Sequence, residues 1–591
     1  MNLSPEEKKI GKENFQEAVG TTRRDFLKGS IAATVAAGGI GALGGYYFGY
    51  QKISDPLRVG VIGTGDEGGV LMGAINPDYV DVVAIADIRP YSQHRAFYGD
   101  RYSPGAHSAR PGLLEVYKKK QGWADRSAAE GHIKVYKNGY EELLDDSNVE
   151  AVIIALPLHL HNEAALAAMR KGKHVLTEKL MGHSVRECKE MARVAQETGL
   201  LLATGHQRHY SILYDNAVDT IRRGLMGKIH HIRAQWHRQD DSWLAKLPND
   251  ALQKELDDFK VKLLDAQKKK DAVREAQVQL KVDGLTARLM DSILSDSFAA
   301  HHGYEEHRVK NHRGEEVYVC SPLEELIRWR LWDRTGGGLM AELGSHQLDA
   351  SSIFVSADFA RHYDGAKFKV RPLSVTAIGG RHLYEANRDA EDLVYCTFEF
   401  PAPVYFDVKE NSGETDPEKR FTVTDKIADP DKKIVVTYSS INGNGFGGYG
   451  EVVMGTEGTL ILEREQDVYE FAKGGASTSV SVSKSSGGAV LNTADSGSPA
   501  AAVAKEAIGG GPASRGYTEE IEHWAWCIRN PDPKHRPRCT PEVAMGDAII
   551  ALTSNIALAK GGRIDFDPAW FDINNDATPD GSAPRKADDV A

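Results

Sequence analysis

The chain has 591 residues, too many for one hydrophobic core, and this length predicts two domains with insertions and tails. Hydrophobic residues make up 41% and charged residues 26%, as in ordinary globular proteins. The net charge of -12, with no long Lys/Arg run, argues against nucleic acid as the main partner. The five cysteines form no CxxC pair, which argues against a disulfide framework or zinc site and predicts small buried residues: Cys188, Cys320, Cys396, Cys527 and Cys539.

Residues 1–55 are assigned to a signal and linker. Thr22-Arg23-Arg24-Asp25-Phe26-Leu27-Lys28 precedes an apolar, Gly/Ala-rich run from Ile31 to Tyr47. This order resembles a twin-arginine (Tat) export signal and predicts passage through the Tat translocase to the periplasm or cell envelope. A transmembrane anchor is the alternative, although a run of about 17 residues is short for a bilayer. No Ala-x-Ala cleavage site precedes Pro56, so an uncleaved, anchored signal stays open.

Residues 56–205 have the pattern of a doubly wound parallel sheet. The stretch Arg58–Ile62 is a buried strand that runs into a glycine loop and a helix, and a second apolar strand ends at Asp87. Such alternation predicts a Rossmann domain. Further strands are predicted at Glu150–Ala155, His174–Thr177 and Leu200–Thr204, with helices at Asn162–Lys171 and Val185–Thr198.

Residues 206–565 predict a second domain of α+β type, for substrate binding and oligomerisation, on a large, mostly antiparallel open sheet. Its strands are predicted at Lys228–Trp236, Ser374–Ile378, Leu393–Phe400, Lys433–Tyr438, Glu451–Gly455 and Thr459–Glu463, and its helices at Glu519–Arg529 and Val543–Leu558. Residues 249–291 predict an inserted surface helical hairpin with solvated charges, and residues 472–514 a mobile Ser/Gly-rich loop. The C-terminal tail, residues 566–591, is expected to be disordered after Asp572.

The glycine loop has the spacing of a dinucleotide site. Gly63 permits the tight turn, Gly65 lets the backbone approach a pyrophosphate, and Gly68 lets helix and strand pack closely. The helix N-terminus offers free N–H groups to phosphates. Asp87 would accept bonds from the ribose hydroxyls and favours NAD, whereas Arg89 could receive the 2′-phosphate of NADP.

Two later segments carry candidate catalytic residues. Pro157 and His161 follow one Rossmann strand, Glu178 and Lys179 follow the next, and Gly336-Gly337-Gly338-Leu339-Met340-Ala341-Glu342-Leu343-Gly344-Ser345-His346-Gln347-Leu348-Asp349 opens a helix. Glu342 and His346 are four residues apart and predict one helical face. These motifs resemble the Gfo/Idh/MocA (glucose–fructose oxidoreductase, inositol dehydrogenase) family. The chain departs from its patterns at Leu158, Leu180 and Glu342, which replace Asn, Pro and Asp.

The resemblance implies roles for these residues. Lys179 would bond the reacting hydroxyl, and His346 would be the general base that takes its proton while the hydride leaves for the nicotinamide. Glu342 would orient the substrate or the base. Pro157, His161 and Glu178 would line the cofactor site.

Residues beyond two further strand ends are predicted to bind substrate, together with the last Asp of the helix motif: His206, Arg208, Tyr210, Trp236, His237 and Asp349. The histidines could instead bind a metal, but no metal is expected, because the resemblance supplies a role for the crevice without one.

The predicted function is that of an exported NAD(P)-dependent oxidoreductase acting on a sugar, polyol or glycoside. Because the NAD pool is cytoplasmic, an exported enzyme is expected to keep its cofactor tightly bound. One alternative is an NAD-dependent glycosidase or lyase that oxidises transiently, eliminates and returns the hydride. Another is a non-catalytic sugar-binding protein. The resemblance also implies a homo-oligomer that pairs through the open face of the second sheet.

Overall fold

The computed structural model describes residues 3–15, 18, 50–239, 250–363, 369–415, 420–472, 483–485, 488–490 and 515–585. The predicted export signal and most of the predicted loop at 472–514 lie outside these residues. Residues 5–15 form an N-terminal helix. The five cysteines are buried and free, as predicted.

A six-stranded parallel sheet forms the first domain, in the order β3-β2-β1-β4-β5-β6. Its central strands are almost wholly apolar because helices cover both faces. The strand order reverses between β1 and β4, which opens a crevice at their carboxyl ends. The strands are β1 Leu57–Ile62, β2 Val80–Ala86, β3 Lys134–Tyr136, β4 Ala151–Ile154, β5 His174–Thr177 and β6 Leu202–Thr204. The helices are α1 Asp66–Ala74, α2 Pro90–Tyr98, α3 Pro104–Ala109, α4 Leu113–Val116, α5 Arg126–Glu130, α6 Glu141–Leu144, α7 His161–Arg170, α8 Val185–Thr198 and α9 Ile212–Arg222.

An eight-stranded sheet forms the second domain, in the order β17-β16-β15-β7-β14-β11-β10-β20. Its pairs are antiparallel except β7 with β14. The predicted fold class is thereby confirmed. Strands β11 and β14 alternate buried and exposed residues, because one face of the sheet packs on helices and the other is open. The strands of this sheet are β7 Ile229–Arg238, β10 Ser374–Gly380, β11 Leu393–Pro401, β14 Lys433–Asn442, β15 Tyr449–Gly455, β16 Gly458–Glu463, β17 Asp467–Ala472 and β20 Arg563–Asp565.

The described chain also contains three two-stranded ribbons, eight further α-helices, a π-helical turn at Met340–Gly344, and short 3-10 helices at Leu158–Leu160, Gln207–Tyr210, Trp329–Leu331 and Pro568–Phe571. The ribbons pair β8 His307–Lys310 with β9 Glu316–Cys320, β12 Phe406–Glu410 with β13 Phe421–Ile427, and β18 Ser483–Ser485 with β19 Gly488–Val490. The helices are α10 Asp250–Lys268, α11 Ala272–Asp291, α12 Asp296–His301, α13 Pro322–Arg328, α14 Asp333–Gly336, α15 Ser345–His362, α16 Tyr517–Arg529 and α17 Pro541–Lys560. Within the described residues, α17 is long and apolar enough to span a bilayer, but 67% of its apolar window is buried inside the protein, as in a core helix.

The inserted hairpin is present as α10 and α11, but its charges are not all solvated. The end of α11 packs on α2 of the Rossmann domain, and Asp291 is 1% exposed. The prediction of a purely solvated face is therefore wrong at this end. Asp291 can be buried because Arg89 and the free N–H of Tyr91 compensate its charge.

The segment after Asp572 is ordered as far as Arg585, contrary to the predicted disorder. Lys189 on α8 is fully buried, and its ammonium group donates to main-chain carbonyls of Ala569, Asn575 and Ala577. Arg585 pairs with Glu190 on the same helix at 2.8 Å. The prediction of disorder was based on the polar composition of this segment. It was wrong because polar groups of the segment have partners on α8.

Candidate active site

One large cleft lies at the carboxyl ends of the Rossmann strands and reaches the second domain. Its volume is about 1560 Å³. Ordinary small-molecule pockets measure roughly 300–1,000 Å³, so the cleft has room for a dinucleotide and a second molecule. Its walls come from the glycine loop, the loops after β2, β4 and β5, the start of α15, and the hairpin.

The glycine loop has the geometry that a dinucleotide requires. Gly63 has φ +85, and a Cβ at Gly68 would lie 2.1 Å from the carbonyl oxygen of Gly63. A Cβ at Gly65 would meet nothing within 4 Å, so the backbone there faces open space at the N-terminus of α1. This cradle fits a pyrophosphate. Gly68 itself does not line the cleft, since its role is close packing.

Two carboxylates follow the glycines in the first turn of α1, Asp66 and Glu67. Although burial opposes it, the charges of Arg95 and Arg330 hold the pKa of Asp66 well below its usual range. Arg95 lies 2.7 Å from Asp66. The carboxylate of Asp66 is therefore compensated by arginine, which limits its repulsion of a phosphate.

Asp87 and Arg89 lie together after β2, and both line the cleft. Asp87 accepts hydrogen bonds from the backbone N–H of Thr64 at 2.7 Å and of Arg89 at 2.8 Å. Burial nevertheless raises the pKa of Asp87. The side chain of Arg89 turns to Asp291 of the hairpin, at 2.8 Å.

Pro157, His161 and Glu178 also line the cleft. The ring nitrogens of His161 each lie 2.8 Å from a main-chain carbonyl oxygen, those of Leu156 and Leu180, so this histidine ties the loops after β4 and β5 together. Glu178 is buried, and its Oε1 has no partner among the described residues. Burial and the charge of Glu67 raise the pKa of Glu178 to about 8. A neutral Glu178 could donate a hydrogen bond to a bound molecule.

The predicted catalytic residues Lys179, Glu342 and His346 meet in the same cleft. Lys179 follows β5, its peptide bond to Leu180 is cis, and its ammonium group donates to the carbonyl of Glu342 at 2.5 Å. A π-helical turn, Met340–Gly344, runs into α15 and carries Glu342 just before His346. Such turns are frequent at functional sites.

The charges around these residues set their protonation. Burial lowers the pKa of Lys179, against the pull of Glu342 and Glu178. Burial, followed by the charges of Lys179 and Arg208, holds the pKa of His346 well below its ordinary value. The imidazole of His346 is thus neutral at neutral pH and able to accept a proton.

Arg238 and Arg330 line the cleft beside Glu342. Arg238 donates to Glu342 at 3.0 Å, and Arg330 lies 3.7 Å from the same oxygen. Although burial opposes it, these two arginines hold the pKa of Glu342 below its ordinary value. Arg238 follows Trp236 on β7, a signal in the sequence, whereas nothing in the sequence pointed to Arg330.

Of the predicted substrate-binding residues, Trp236 lines the cleft and stacks on Tyr449 with ring centroids 4.3 Å apart. The others do not line it: His206, Arg208, Tyr210, His237 and Asp349. The segment after β6 turns into the interface between the domains. Tyr210 bonds His523 and the backbone of Arg538, while His237 bonds Phe446 and Ser439.

Arg208 lies directly behind His346. It is buried between Glu451 and Glu465, at 2.9 and 2.8 Å, and it donates to the main-chain carbonyl of His346. Arg208 therefore positions the start of α15 instead of touching substrate.

A buried cluster lies deeper in the same layer. His206, Asp349 and Asp547 have ligand-type atoms within 4.8 Å of one another. The ammonium group of Lys369 lies 2.8 Å from Asp547 and 3.7 Å from Asp349. Lys369 supplies the positive charge that this pair of carboxylates requires.

Comparison with known proteins identifies the first domain. Residues 57–206 match the family model described as GFO_IDH_MocA, "Oxidoreductase family, NAD-binding Rossmann fold". They form a Gfo/Idh/MocA-family domain. The glycine cradle and the carboxylate after β2 of this Gfo/Idh/MocA domain fit the NAD that the family model names.

Relatives of the Gfo/Idh/MocA domain include a 1,5-anhydro-D-fructose reductase from Ensifer adhaerens, 35% identical over 117 residues (19% of this chain, 35% of that protein). A glycosyl hydrolase family 109 protein from Solibacter usitatus is 26% identical over 230 residues (36% of this chain, 44% of that protein). The matches thus span less than half of these curated relatives. A solved levoglucosan dehydrogenase in complex with NADH is 16% identical, with a TM-score of 0.47, and covers 87% of this chain and 100% of its own.

Proposed function

We propose that the protein is an exported NAD(P)-dependent oxidoreductase that acts on a hydroxyl of a sugar, polyol or glycoside. One observation carries the proposal: the glycine cradle and the trio Lys179, Glu342 and His346 line the same cleft. The 1,5-anhydro-D-fructose reductase among the relatives supports a carbohydrate as the substrate.

A bound nicotinamide would accept or return a hydride at the substrate carbon. The protein would handle the proton. His346 would take it from the hydroxyl, because burial and nearby cations keep its imidazole neutral. Lys179 would donate a hydrogen bond to the hydroxyl oxygen, and Glu342, held by Arg238, would fix the substrate beside the base.

Export and cofactor retention belong to the same proposal. The segment Thr22–Lys28 with its apolar run supports a Tat signal, which could stay attached as an anchor. A protein outside the cytoplasm has no pool of free NAD, so we propose that the dinucleotide stays tightly bound while one substrate is oxidised and another reduced.

A glycosidase that oxidises transiently is the second candidate. The match to the glycosyl hydrolase family 109 protein favours it, since it spans 230 residues and reaches beyond the Rossmann domain. The same Lys179 and His346 would serve both reactions. They differ in net redox change: the oxidoreductase needs an acceptor, and the glycosidase does not.

The test starts with the purified full chain, denatured and analysed by mass spectrometry for released dinucleotide. We expect about one dinucleotide per chain. Candidate sugars and glycosides are then added without cofactor, and the nicotinamide absorbance and the sugar products are followed. Reduction of the bound nicotinamide, or formation of an oxidised product together with a reduced one, supports the oxidoreductase. Cleavage of a glycoside with neither of these supports the glycosidase.

Variants link either reaction to the trio. Lys179→Met and His346→Gln should each lower turnover by about 10²–10⁴-fold with the dinucleotide still bound. The matched controls Lys171→Met and His132→Gln change surface residues that pair with Asp145 and Asp81, and should leave turnover unchanged. Full turnover in Lys179→Met or His346→Gln would contradict the proposed roles, and binding without turnover in the wild type would favour a sugar-binding protein.

A further inference from the structure

The end of the inserted hairpin contacts the Rossmann domain where the adenosine end of a dinucleotide would lie. Asp291, the last residue of α11, is 1% exposed. Its Oδ2 accepts from Nε of Arg89 at 3.0 Å and lies 2.8 Å from Nη2 of the same residue. Its Oδ1 accepts from the backbone N–H of Tyr91, at 3.0 Å, in the first turn of α2. The carboxylate of Asp291 thus binds both the guanidinium group of Arg89 and the N-terminus of α2.

The loop after β2 is where a Rossmann domain distinguishes NAD from NADP. A carboxylate there bonds the 2′-hydroxyl of NAD, and a nearby arginine accommodates the 2′-phosphate of NADP. This chain has both, Asp87 and Arg89. The sequence of the Rossmann domain alone therefore leaves the preference open.

The hairpin contributes a second carboxylate to this loop, that of Asp291. Its carboxylate occupies two donor positions of Arg89 and places a second negative charge near Asp87. Burial lowers the pKa of Arg89, but the charge of Asp291 overrides this and holds the guanidinium protonated and paired. Arg95, the next arginine of this wall, is itself paired with Asp66 at 2.7 Å and with Asp100 at 3.4 Å.

We propose that Asp291 determines the cofactor preference, binding Arg89 so that the site takes NAD and excludes the 2′-phosphate of NADP. The inference rests on the proposed function, because it requires a dinucleotide in this cleft. A 2′-phosphate would lie against two carboxylates with their arginine already engaged, so like-charge repulsion would disfavour its binding. Residues of the same hairpin also line the cleft, so the insertion forms the outer wall of the adenosine site: Ala251, Leu252, Glu255 and Arg288.

The test compares NAD⁺ and NADP⁺ binding to the full chain after bound dinucleotide has been removed. Wild type should prefer NAD⁺. Asp291→Asn releases Arg89 and should tighten NADP⁺ binding by about tenfold or more, with a change of less than about threefold for NAD⁺. Asp283→Asn, the same change on an exposed residue of α11, is the matched control and should leave both affinities unchanged.

A second pair of variants separates specificity from folding. Asp291→Glu keeps the charge and should keep the preference for NAD⁺. In the double variant Asp291→Asn/Arg89→Ala the gain for NADP⁺ should disappear, because the guanidinium that would receive the phosphate is gone.

The outcomes are distinct. A wild type that prefers NADP⁺, or an Asp291→Asn variant that binds NAD⁺ with an unchanged preference, overturns the inference and leaves the proposed function standing. A wild type that binds neither dinucleotide overturns both.

Discussion

His346 and Lys179 place a neutral imidazole beside an ammonium group in a buried site. A buried lysine tends to lose its proton, and here the charge of Glu342 opposes that loss. Burial, together with the remaining positive charge of Lys179 and that of Arg208, lowers the pKa of His346 and keeps its imidazole neutral. In the proposed reaction the pair would supply a hydrogen-bond donor and a proton acceptor to one hydroxyl.

The pH dependence of turnover follows from the direction of the His346 shift. Its pKa lies well below the ordinary 6.5, so the neutral base persists as the pH falls through 6.5 and is lost only at lower pH. We expect the acidic limb of the kcat/KM profile to have its midpoint below pH 6.5. Measurement of that profile from neutral to acidic pH checks this, and a midpoint at or above 6.5 would contradict His346 as a buried base.

Among individual residues, the sequence predicted those cleft residues that lie in recognisable motifs, including Lys179, Glu342 and His346. It misplaced Arg208 and Tyr210, because their position after β6 does not say which way the chain turns. Buried Arg208 pairs with two carboxylates that lie far along the chain. Glu451 is on β15, and Glu465 is in the turn after β16. Ion pairs between residues so far apart in the chain leave no local pattern in the sequence.

At the scale of elements, periodicity predicted most strands of both sheets and the two helices of the hairpin, but not β3, β17 or β20. Helix α8, predicted at Val185–Thr198, has those bounds. The ends of strands were less certain: β14 was predicted to end at Tyr438 and continues to Asn442, beside β7. Periodicity did not show that the hairpin and the C-terminal segment pack on the Rossmann domain. The hairpin and the C-terminal segment are rich in polar residues, and each forms ion pairs with the Rossmann domain.

Removal of the C-terminal segment should therefore destabilise the Rossmann domain. A chain that ends at Asp572 loses two of the three carbonyl acceptors of the buried Lys189, those of Asn575 and Ala577, and the pair between Arg585 and Glu190. We expect the free energy of unfolding to fall by at least about 2 kcal/mol. Urea titration measures it, with a chain that ends at Arg585 as the control. Equal stability of the two chains would show that these contacts contribute nothing.

At the scale of the whole molecule, the open face of the eight-stranded sheet displays apolar side chains. Ile378 is 65% exposed and stands opposite Tyr395, which is 44% exposed, and Val435 lies farther along β14, opposite Glu399. Exposed apolar side chains that lie next to each other can mark an interaction site. We propose that two copies of the chain pair through this face.

A charge placed on that face should prevent pairing. Light scattering after size exclusion should show a homo-oligomer for wild type and a monomer for the double variant Ile378→Glu/Tyr395→Glu. Val273→Glu, at a 71% exposed apolar residue of the hairpin, is the control and should remain oligomeric. A monomeric wild type, or a double variant that still associates, would argue against this face.

Strand β17 is one edge of the eight-stranded sheet, and the N-terminal helix covers it. The N-terminal helix lies against β17: Lys8 pairs with Glu463, Lys12 with Asp467, and the amide of Asn14 donates to the main-chain carbonyl of Glu470 at 2.9 Å. An uncovered edge strand is a template to which a strand of another molecule can add. Any proteolytic processing that removed residues 3–15 would thus uncover this edge, and the processed protein would carry a risk of strand-by-strand aggregation that the full chain avoids.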